Sequence, residues 1–197
     1  MVEGSRIDHA GHGNDAAAHV RDVLAYDAAV RALLDWARRD GNTLVVSTAD
    51  HETGGLALGR DNVYAWDPAP LLAATMSTER LDARLAEPGA DVPALLREAL
   101  GADSLTADEA ARFSAPDDPA AEFREAVDRR AGVAWTTGGH TAVDVGLYAS
   151  GPGADLFRGH MTNDAVGRAT FAALGLALPS EAQAADRAAD VRADGAD

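Results

Sequence analysis

The sequence predicts an α/β protein with a mostly parallel central sheet. Three observations predict this class: a long amphipathic pattern near the start of the chain, a short continuous apolar run after it, and a polar turn that ends the run. Helix, loop, buried strand and polar turn in this order make up half of a parallel α/β unit. In such sheets, functional groups gather just past the carboxyl ends of the strands.

The amphipathic pattern predicts one long helix over residues 14–39. Its apolar side chains recur at three- and four-residue spacing, which places them on one face of a helix. Asn14 or Asp15 can serve as the N-cap, and Gly41 lies where a helix stop is expected. Strands are predicted over residues 43–47 and, as the end of an earlier strand, over residues 1–3.

Residues 61–131 differ in character, because they are rich in Ala, Asp and Pro and contain no group that looks catalytic. Thr106 and Glu109 have the spacing of a capping box, in which each side chain satisfies a backbone N–H of the other residue. We interpret this region as an insertion or cap over the sheet. Helices are predicted over residues 77–85, 92–100 and 106–113.

Strands are predicted again over residues 133–137 and 142–150, on either side of a Gly-Gly-His-Thr turn. A last helix is predicted over residues 162–174. The remaining residues, rich in Ala and Asp, are predicted to be flexible. The predicted organisation is therefore one α/β core of residues 1–60 and 132–178, an insertion of residues 61–131, and a flexible acidic tail of residues 179–197.

The chain has 197 residues, no cysteine and a formal net charge of −15. This length suggests one domain, at about 150 residues per domain. The lack of cysteine excludes disulfide scaffolds, thiolate metal sites and cysteine nucleophiles. The negative charge argues against nucleic acid and anionic membranes as partners, and no apolar run approaches the roughly 20 residues of a membrane span. The first residues of the chain also lack the pattern of an export signal.

All 17 basic residues are Arg, and Asp (23) outnumbers Glu (9). Two explanations fit this bias. A GC-rich genome enriches Ala, Arg, Gly and Asp without a physical cause. Adaptation to high salt favours a dense acidic surface, because salt screens the repulsion between like charges. The large net charge favours the second, halophilic explanation.

Acids and imidazoles cluster at three places where a soluble protein has little structural use for them. Each cluster alone has a simpler explanation as a turn, a helix cap or a loop residue. Together they favour a metal site, because oxygen and imidazole ligands without sulfur suit Zn²⁺, or Mn²⁺ or Co²⁺. Asp8 and His12 are also spaced to share one face of a helical turn. The clusters are Glu3, Asp8, His9 and His12; Asp50 and His51; and His140.

Three long strings resemble the last three signature blocks of the alkaline phosphatase family. They are VEGSRIDHAGHGND at residues 2–15, DGNTLVVSTADHETGG at 40–55 and GGHTAVDVGLYASGPGADLFRGHMTND at 138–164. The resemblance implies that family's three-layer sandwich, with residues 61–131 as a crown-like region at the dimer interface. It also implies hydrolysis of phosphate monoesters with release of inorganic phosphate, a homodimeric full-length enzyme, and an extracellular or periplasmic location.

The resemblance further implies two zinc ions and one magnesium ion. In the family, two metals clamp the attacking and leaving oxygens of a phosphoryl transfer that passes through a phosphoserine. His9 is expected close to the phosphate or the magnesium, whereas His19 and His160 lie outside the implied ligand set. Glu52 and Thr53 are expected to shape a turn. The implied ligands are Asp8, His12 and His140 for the first zinc, Asp50 and His51 for the second zinc, and Glu3 for the magnesium.

The family's serine nucleophile precedes the matched strings, so we expect the chain to be a carboxyl-terminal half that is inactive alone. The string Asp103-Ser104-Leu105-Thr106 weakly resembles a nucleophile motif but lies on the wrong side of the second cluster. A truncated product, a misplaced start and a split gene all fit this expectation. Two other functions stay open, namely a non-catalytic acidic metal-binding or interaction module of the same fold, and a phosphodiesterase or phosphomutase of the wider superfamily.

Overall fold

A computed structural model describes residues 1–178 of the chain, and these residues form a mixed α/β structure. They divide into two compact units. Met1–Ala32 and Ala49–Val145 form the first unit, and Leu33–Thr48 belongs to the second unit with the described residues from Gly146 onward. All predicted site residues belong to the first unit. The predicted acidic tail lies outside the described residues, and the predicted division into core and insertion stays a prediction.

Five predicted helices are confirmed to within two residues at each end (α2, α4, α5, α6 and α8 below). The caps are also those that the sequence indicates: Asp15 accepts a hydrogen bond from the Ala18 N–H (2.9 Å), and Thr106 and Glu109 form the capping box. Three further helices, α1, α3 and α7, were not predicted. The helices are α1 Ser5–His12, α2 Ala16–Asp40, α3 Ala69–Ala73, α4 Thr78–Leu85, α5 Val92–Leu100, α6 Ala107–Ser114, α7 Pro119–Ala131 and α8 Asn163–Ala173.

The strands are short and form three separate pairs, β1 with β6, β2 with β5 and β3 with β4. All three pairs are antiparallel. The prediction of a mostly parallel central sheet is therefore wrong for residues 1–178, where β1 has β6 as its partner and no strand runs parallel to it. The strands are β1 Val45–Ser47, β2 Glu52–Thr53, β3 Ala57–Leu58, β4 Val133–Ala134, β5 His140–Thr141 and β6 Tyr148–Ser150.

Two other strand predictions need correction. Residues 1–4 form no regular element, and residues 142–147 belong to no strand. The physical reason is the same in both places, because a strand is stable only where its backbone N–H and C=O groups find a partner strand. The local apolar pattern does not reveal whether such a partner is present.

The core of the first unit lies among helices α3 to α7, around the fully buried side chains of Phe113, Phe123 and Leu96. Ala16 at the start of α2 and Val133 of β4 belong to the same apolar cluster. Residues 61–131 thus share one core with elements on either side of them in the sequence.

In the second unit, β1 and β6 pair in the register Val45 to Ser150. A short 3-10 helix, Ala154–Leu156, follows, and the buried ring of Phe157 comes next in the chain. No helix within the described residues combines the length and the apolar character that crossing a membrane requires.

Candidate metal centre

Helix α1 places Asp8 and His12 four residues apart on one face, with Asp8 Oδ1 and His12 Nε2 3.5 Å apart. This separation is longer than a good N–H···O hydrogen bond. Gly11 lies buried between the two, and its Cα faces Thr53 so closely that a methyl group there would lie 3.0 Å from the Thr53 backbone oxygen. The glycine therefore lets α1 approach β2.

A backbone carbonyl orients the ring of His12. Its Nδ1 lies 2.7 Å from the oxygen of Gly138. A carbonyl oxygen can only accept a hydrogen bond, so Nδ1 carries the proton, and in the neutral ring Nε2 holds a lone pair. That lone pair faces His140, whose Nε2 is 3.2 Å away. A carbonyl that holds the distal nitrogen in this way is the usual support of a metal-binding histidine.

His140 reaches the cluster through the pairing of β2 with β5, in which it lies opposite Thr53. Its ring stacks on the ring of His51, with centroids 3.6 Å apart and planes inclined by 22°. The turn before β5 is tied to the turn after β2, because the Gly54 N–H donates to the Gly139 oxygen (2.8 Å). The strand pair thus brings imidazoles that are 89 positions apart in the sequence into contact.

Glu52 holds this strand pair in place. Its Oε1 accepts from the Gly55 N–H (2.6 Å), and its Oε2 accepts from both the N–H (3.1 Å) and the hydroxyl of Thr141. These bonds lower the pKa of Glu52, with the Thr141 hydroxyl contributing most. Glu52 therefore shapes the turn as expected, and it also fixes the strand that carries His140.

Gly54 has a backbone conformation that suits glycine, with φ +91°, and a Cβ there would lie 2.5 Å from the Trp135 ring. The backbone oxygen of Gly54 accepts from the N–H groups of Thr136 and Thr137. Glycine at this position therefore allows the chain after β2 to lie against the turn that leads to His140.

Asp8, His12 and His140 form the one group of three or more metal-ligating side chains found within residues 1–178, with ligand atoms all within 4.8 Å of one another. Asp8 is half-buried and the two histidines are exposed, so the group is open to solvent. A lone pair on a neutral imidazole and a carboxylate oxygen repel each other unless a proton or a cation lies between them. One carboxylate and two imidazoles with an open fourth position therefore fit zinc.

Thr53 donates a hydrogen bond to Asp8 Oδ1 (2.7 Å), and this bond is the main reason that the pKa of Asp8 is lowered. His12, His51 and His140 also favour the ionised carboxylate. The acid is thus kept in the charged form that a metal ligand needs.

The second predicted ligand set, Asp50 and His51, lies beside the group of Asp8, His12 and His140. His51 Nε2 and Asp50 Oδ2 are 3.4 Å apart, and the side chain of Asp50 is 88% exposed. The other two predicted residues are not brought into the group. Glu3 is exposed and precedes α1, and His9 is exposed with Nδ1 3.4 Å from Arg6 Nη1.

Sequence reasoning found the ligand types but missed two supporting contacts. The Gly138 carbonyl is a backbone group with no sequence signal of its own. Thr53 lies in the Asp-His-Glu-Thr-Gly-Gly string, where it was interpreted as a turn residue. His19 of α2, which the sequence placed outside the ligand set, stacks on the ring of Trp135, and burial lowers the pKa of His19.

The model of the alkaline phosphatase family matches residues 1–176. This chain belongs to the alkaline phosphatase family. It is 37% identical over 184 residues to alkaline phosphatase 3 of Bacillus subtilis, which covers 88% of this chain and 39% of that relative. It is 41% identical over 171 residues to the repressible alkaline phosphatase of Saccharomyces cerevisiae, which covers 76% of this chain and 30% of that relative.

A solved structure agrees with these matches. The cold-active alkaline phosphatase from the psychrophile Shewanella sp. superimposes with a TM-score of 0.77 at 32% identity, over 87% of this chain and 44% of that one. The family is thereby confirmed as the resemblance indicated. The chain spans between 30% and 44% of the length of these relatives.

Proposed function

We propose that this chain supplies the carboxyl-terminal metal ligands of an alkaline-phosphatase-type enzyme that hydrolyses phosphate monoesters. The observation that carries the proposal is the convergence of Asp8, His12 and His140 within 4.8 Å. These residues lie in two of the three strings that resemble the family's signature blocks. The coverage of the relatives supports the further proposal that the serine nucleophile and the complete three-layer sandwich require polypeptide beyond these 197 residues.

We assign Asp8, His12 and His140 to a first zinc, Asp50 and His51 to a second zinc, and Glu3 to a magnesium ion. When bound, such ions neutralise charge on the phosphoryl oxygens and allow a nucleophile to form near neutral pH. The residues of this chain hold and orient the site. Gly138 and Thr53 fix the ligand atoms of His12 and Asp8, and the stacked ring of His51 restricts the ring of His140.

The exposure of the histidines favours this function over a closed structural metal site. A phosphate group must reach the ligand atoms directly, and two of the three ligands of the first group are open to solvent. Homodimerisation through residues 61–131, export from the cell and adaptation to high salt are further parts of the proposal. Each of them derives from the family resemblance or from the composition.

Zinc titration of the metal-free chain tests the ligand assignment. We expect His140→Asn to weaken zinc binding by more than the roughly 10- to 100-fold that loss of a supporting residue costs. His160→Asn is the matched control, because it makes the same change at a histidine outside the proposed ligand set, and it should leave zinc affinity unchanged. Equal zinc affinity in both variants would contradict the assignment.

Hydrolysis of p-nitrophenyl phosphate tests the catalytic part. We expect the 197-residue chain alone to show only background hydrolysis, even with zinc and magnesium. Joined to the amino-terminal part of a related alkaline phosphatase, it should hydrolyse the substrate in a zinc-dependent way, and His140→Asn should abolish that activity. Robust turnover by the chain alone would overturn the proposal that the serine nucleophile lies outside these 197 residues. A joined chain that binds zinc but stays inactive would instead support the non-catalytic module.

A further inference from the structure

Thr53 lies between the ligands of the two proposed zinc sites. Its Oγ1 is 2.7 Å from Asp8 Oδ1 and 3.2 Å from His51 Nδ1. The residue is 9% exposed, and its methyl group packs against Gly11 of α1. One hydroxyl therefore contacts a proposed ligand of the first zinc and a proposed ligand of the second.

The direction of these hydrogen bonds follows from the chemistry of the three groups. A hydroxyl has one proton to donate, and an ionised carboxylate can only accept. The Thr53 proton therefore goes to Asp8, which is the charged acceptor at the shorter distance. The hydroxyl oxygen is then left to accept from His51, so Nδ1 of His51 carries the proton of the neutral ring.

This tautomer leaves a lone pair on His51 Nε2. That nitrogen faces Asp50 Oδ2 at 3.4 Å, a separation longer than a good N–H···O hydrogen bond. The same arrangement occurs at His12, whose Nδ1 is held by the Gly138 oxygen (2.7 Å). Both imidazoles thus turn an unprotonated Nε2 toward a carboxylate, and in His51 it is a side-chain hydroxyl that selects this state.

We infer that Thr53 is a positioning residue that couples the two proposed zinc sites. It orients Asp8 of the first site and selects the Nδ1–H tautomer of His51 in the second site. The coupling of metal binding rests on the function proposed above. The choice of tautomer holds in the metal-free chain as well, because the hydrogen bonds among Asp8, Thr53 and His51 need no ion.

Nitrogen-15 NMR of the histidine side chains in the metal-free chain tests the tautomer directly, at an alkaline pH where the rings are neutral. We expect His51 in the native chain to be protonated mainly on Nδ1. In Thr53→Val, which keeps a methyl group against Gly11, the proton should move largely to Nε2, where Asp50 can accept it. Thr53→Ser should restore the native signal.

Thr136→Val is a matched control, because it removes a nearby hydroxyl that donates to the Gly55 oxygen and does not contact His51. Its histidine signals should stay native. A native chain with His51 protonated mainly on Nε2 would overturn the inference without any variant. An unchanged tautomer in Thr53→Val would also overturn it, and failure of Thr53→Ser to restore the signal would assign Thr53 a packing role only.

Zinc titration separates this inference from the proposed function. Thr53→Val should weaken zinc binding at both proposed zinc sites by about 10- to 100-fold, while the zinc affinity of Thr53→Ser should stay close to native. If the tautomer shifts as expected but the native chain binds no zinc, the proposed function fails and the positioning role of Thr53 stands. If zinc binds to the native chain and Thr53→Val loses zinc affinity at only one of the two proposed sites, the coupling is wrong and the metal assignment stands.

Discussion

Gly11→Ala changes the contact that brings α1 against β2. A Cβ at position 11 would lie 3.0 Å from three atoms of Thr53, namely Cβ, Cγ2 and the backbone oxygen. Carbon atoms pack best at about 3.5–4.0 Å, and a backbone oxygen cannot rotate away. We therefore expect α1 to move away from β2 by about 0.5–1 Å.

The displacement acts on the candidate site because α1 carries Asp8 and His12. A shift of this size would lengthen the 2.7 Å bond from Thr53 to Asp8 to about 3.2–3.7 Å, past the range of a good O–H···O hydrogen bond. Overpacking costs about 1–3 kcal/mol, and Ala in place of Gly in a helix recovers about 0.5–1 kcal/mol. We expect a net loss of about 1–2 kcal/mol in the free energy of unfolding. Zinc affinity should fall by about 10- to 100-fold, as for loss of a supporting residue.

Gly13→Ala is the matched control two residues away. Its φ is −76°, and a Cβ there would meet only the His9 and Ala10 oxygens at 3.4 and 3.7 Å, which are ordinary contacts. The assays are denaturant unfolding and zinc titration of both variants. If Gly11→Ala binds zinc as tightly as Gly13→Ala, the close approach of α1 to β2 does not position the ligands.

Three further outcomes are expected. Glu109, with its side chain 10% exposed and bound to Arg130 through two hydrogen bonds, has its pKa lowered to about 2. Its contribution of about 3 kcal/mol to the free energy of unfolding is therefore present above pH 4.5 and lost as the pH falls toward 2. Glu109→Gln should flatten the pH dependence of the free energy of unfolding over that range, as measured by denaturant unfolding at each pH. Burial raises the pKa of Asp128 from 3.8 to about 7, so its contribution is full below pH 3.8 and lost as the pH rises through 7. Asp128→Asn should consequently gain stability over the native chain between pH 5 and 8, by up to about 4 kcal/mol, and equal pH profiles of the two chains would contradict this. If the acidic surface is an adaptation to salt, solubility and unfolding temperature should both rise in molar salt, whereas a compositional bias alone would leave them unchanged.

The helices show how far local pattern reaches in this protein. Helix α5 was predicted at its observed bounds, and the structure shows an Asp N-cap, a buried apolar face and a Gly C-cap within this short segment. Helix α7 carries equivalent signals, since Asp118 caps it and Gly132 ends it at φ +69°. It was missed because half of its buried positions hold Ala and one holds Asp, which gives a weak apolar stripe.

The strands show where local pattern ends. The apolar run of residues 43–47 predicted a strand, and β1 lies within it. The sequence predicted no partner for this strand, and the parallel pairing that it favoured differs from the observed antiparallel pairing with a strand about 100 positions later. A run of apolar residues specifies burial, whereas the direction of its neighbour depends on how the chain returns.

The sequence by itself determined the family of this protein and the chemical types of its candidate ligands. Carboxylate, imidazole and glycine are properties of single residues and short strings, and the absence of sulfur limits what they can bind. Only the tertiary structure decided which atoms of those residues face one another. The tautomer of His12 depends on a carbonyl 126 positions away, and the state of His51 depends on a hydroxyl shared with α1. Such contacts arise when α1 packs on β2 and β2 pairs with β5, and hydrogen-bond geometry across that packing has no signature in a local pattern.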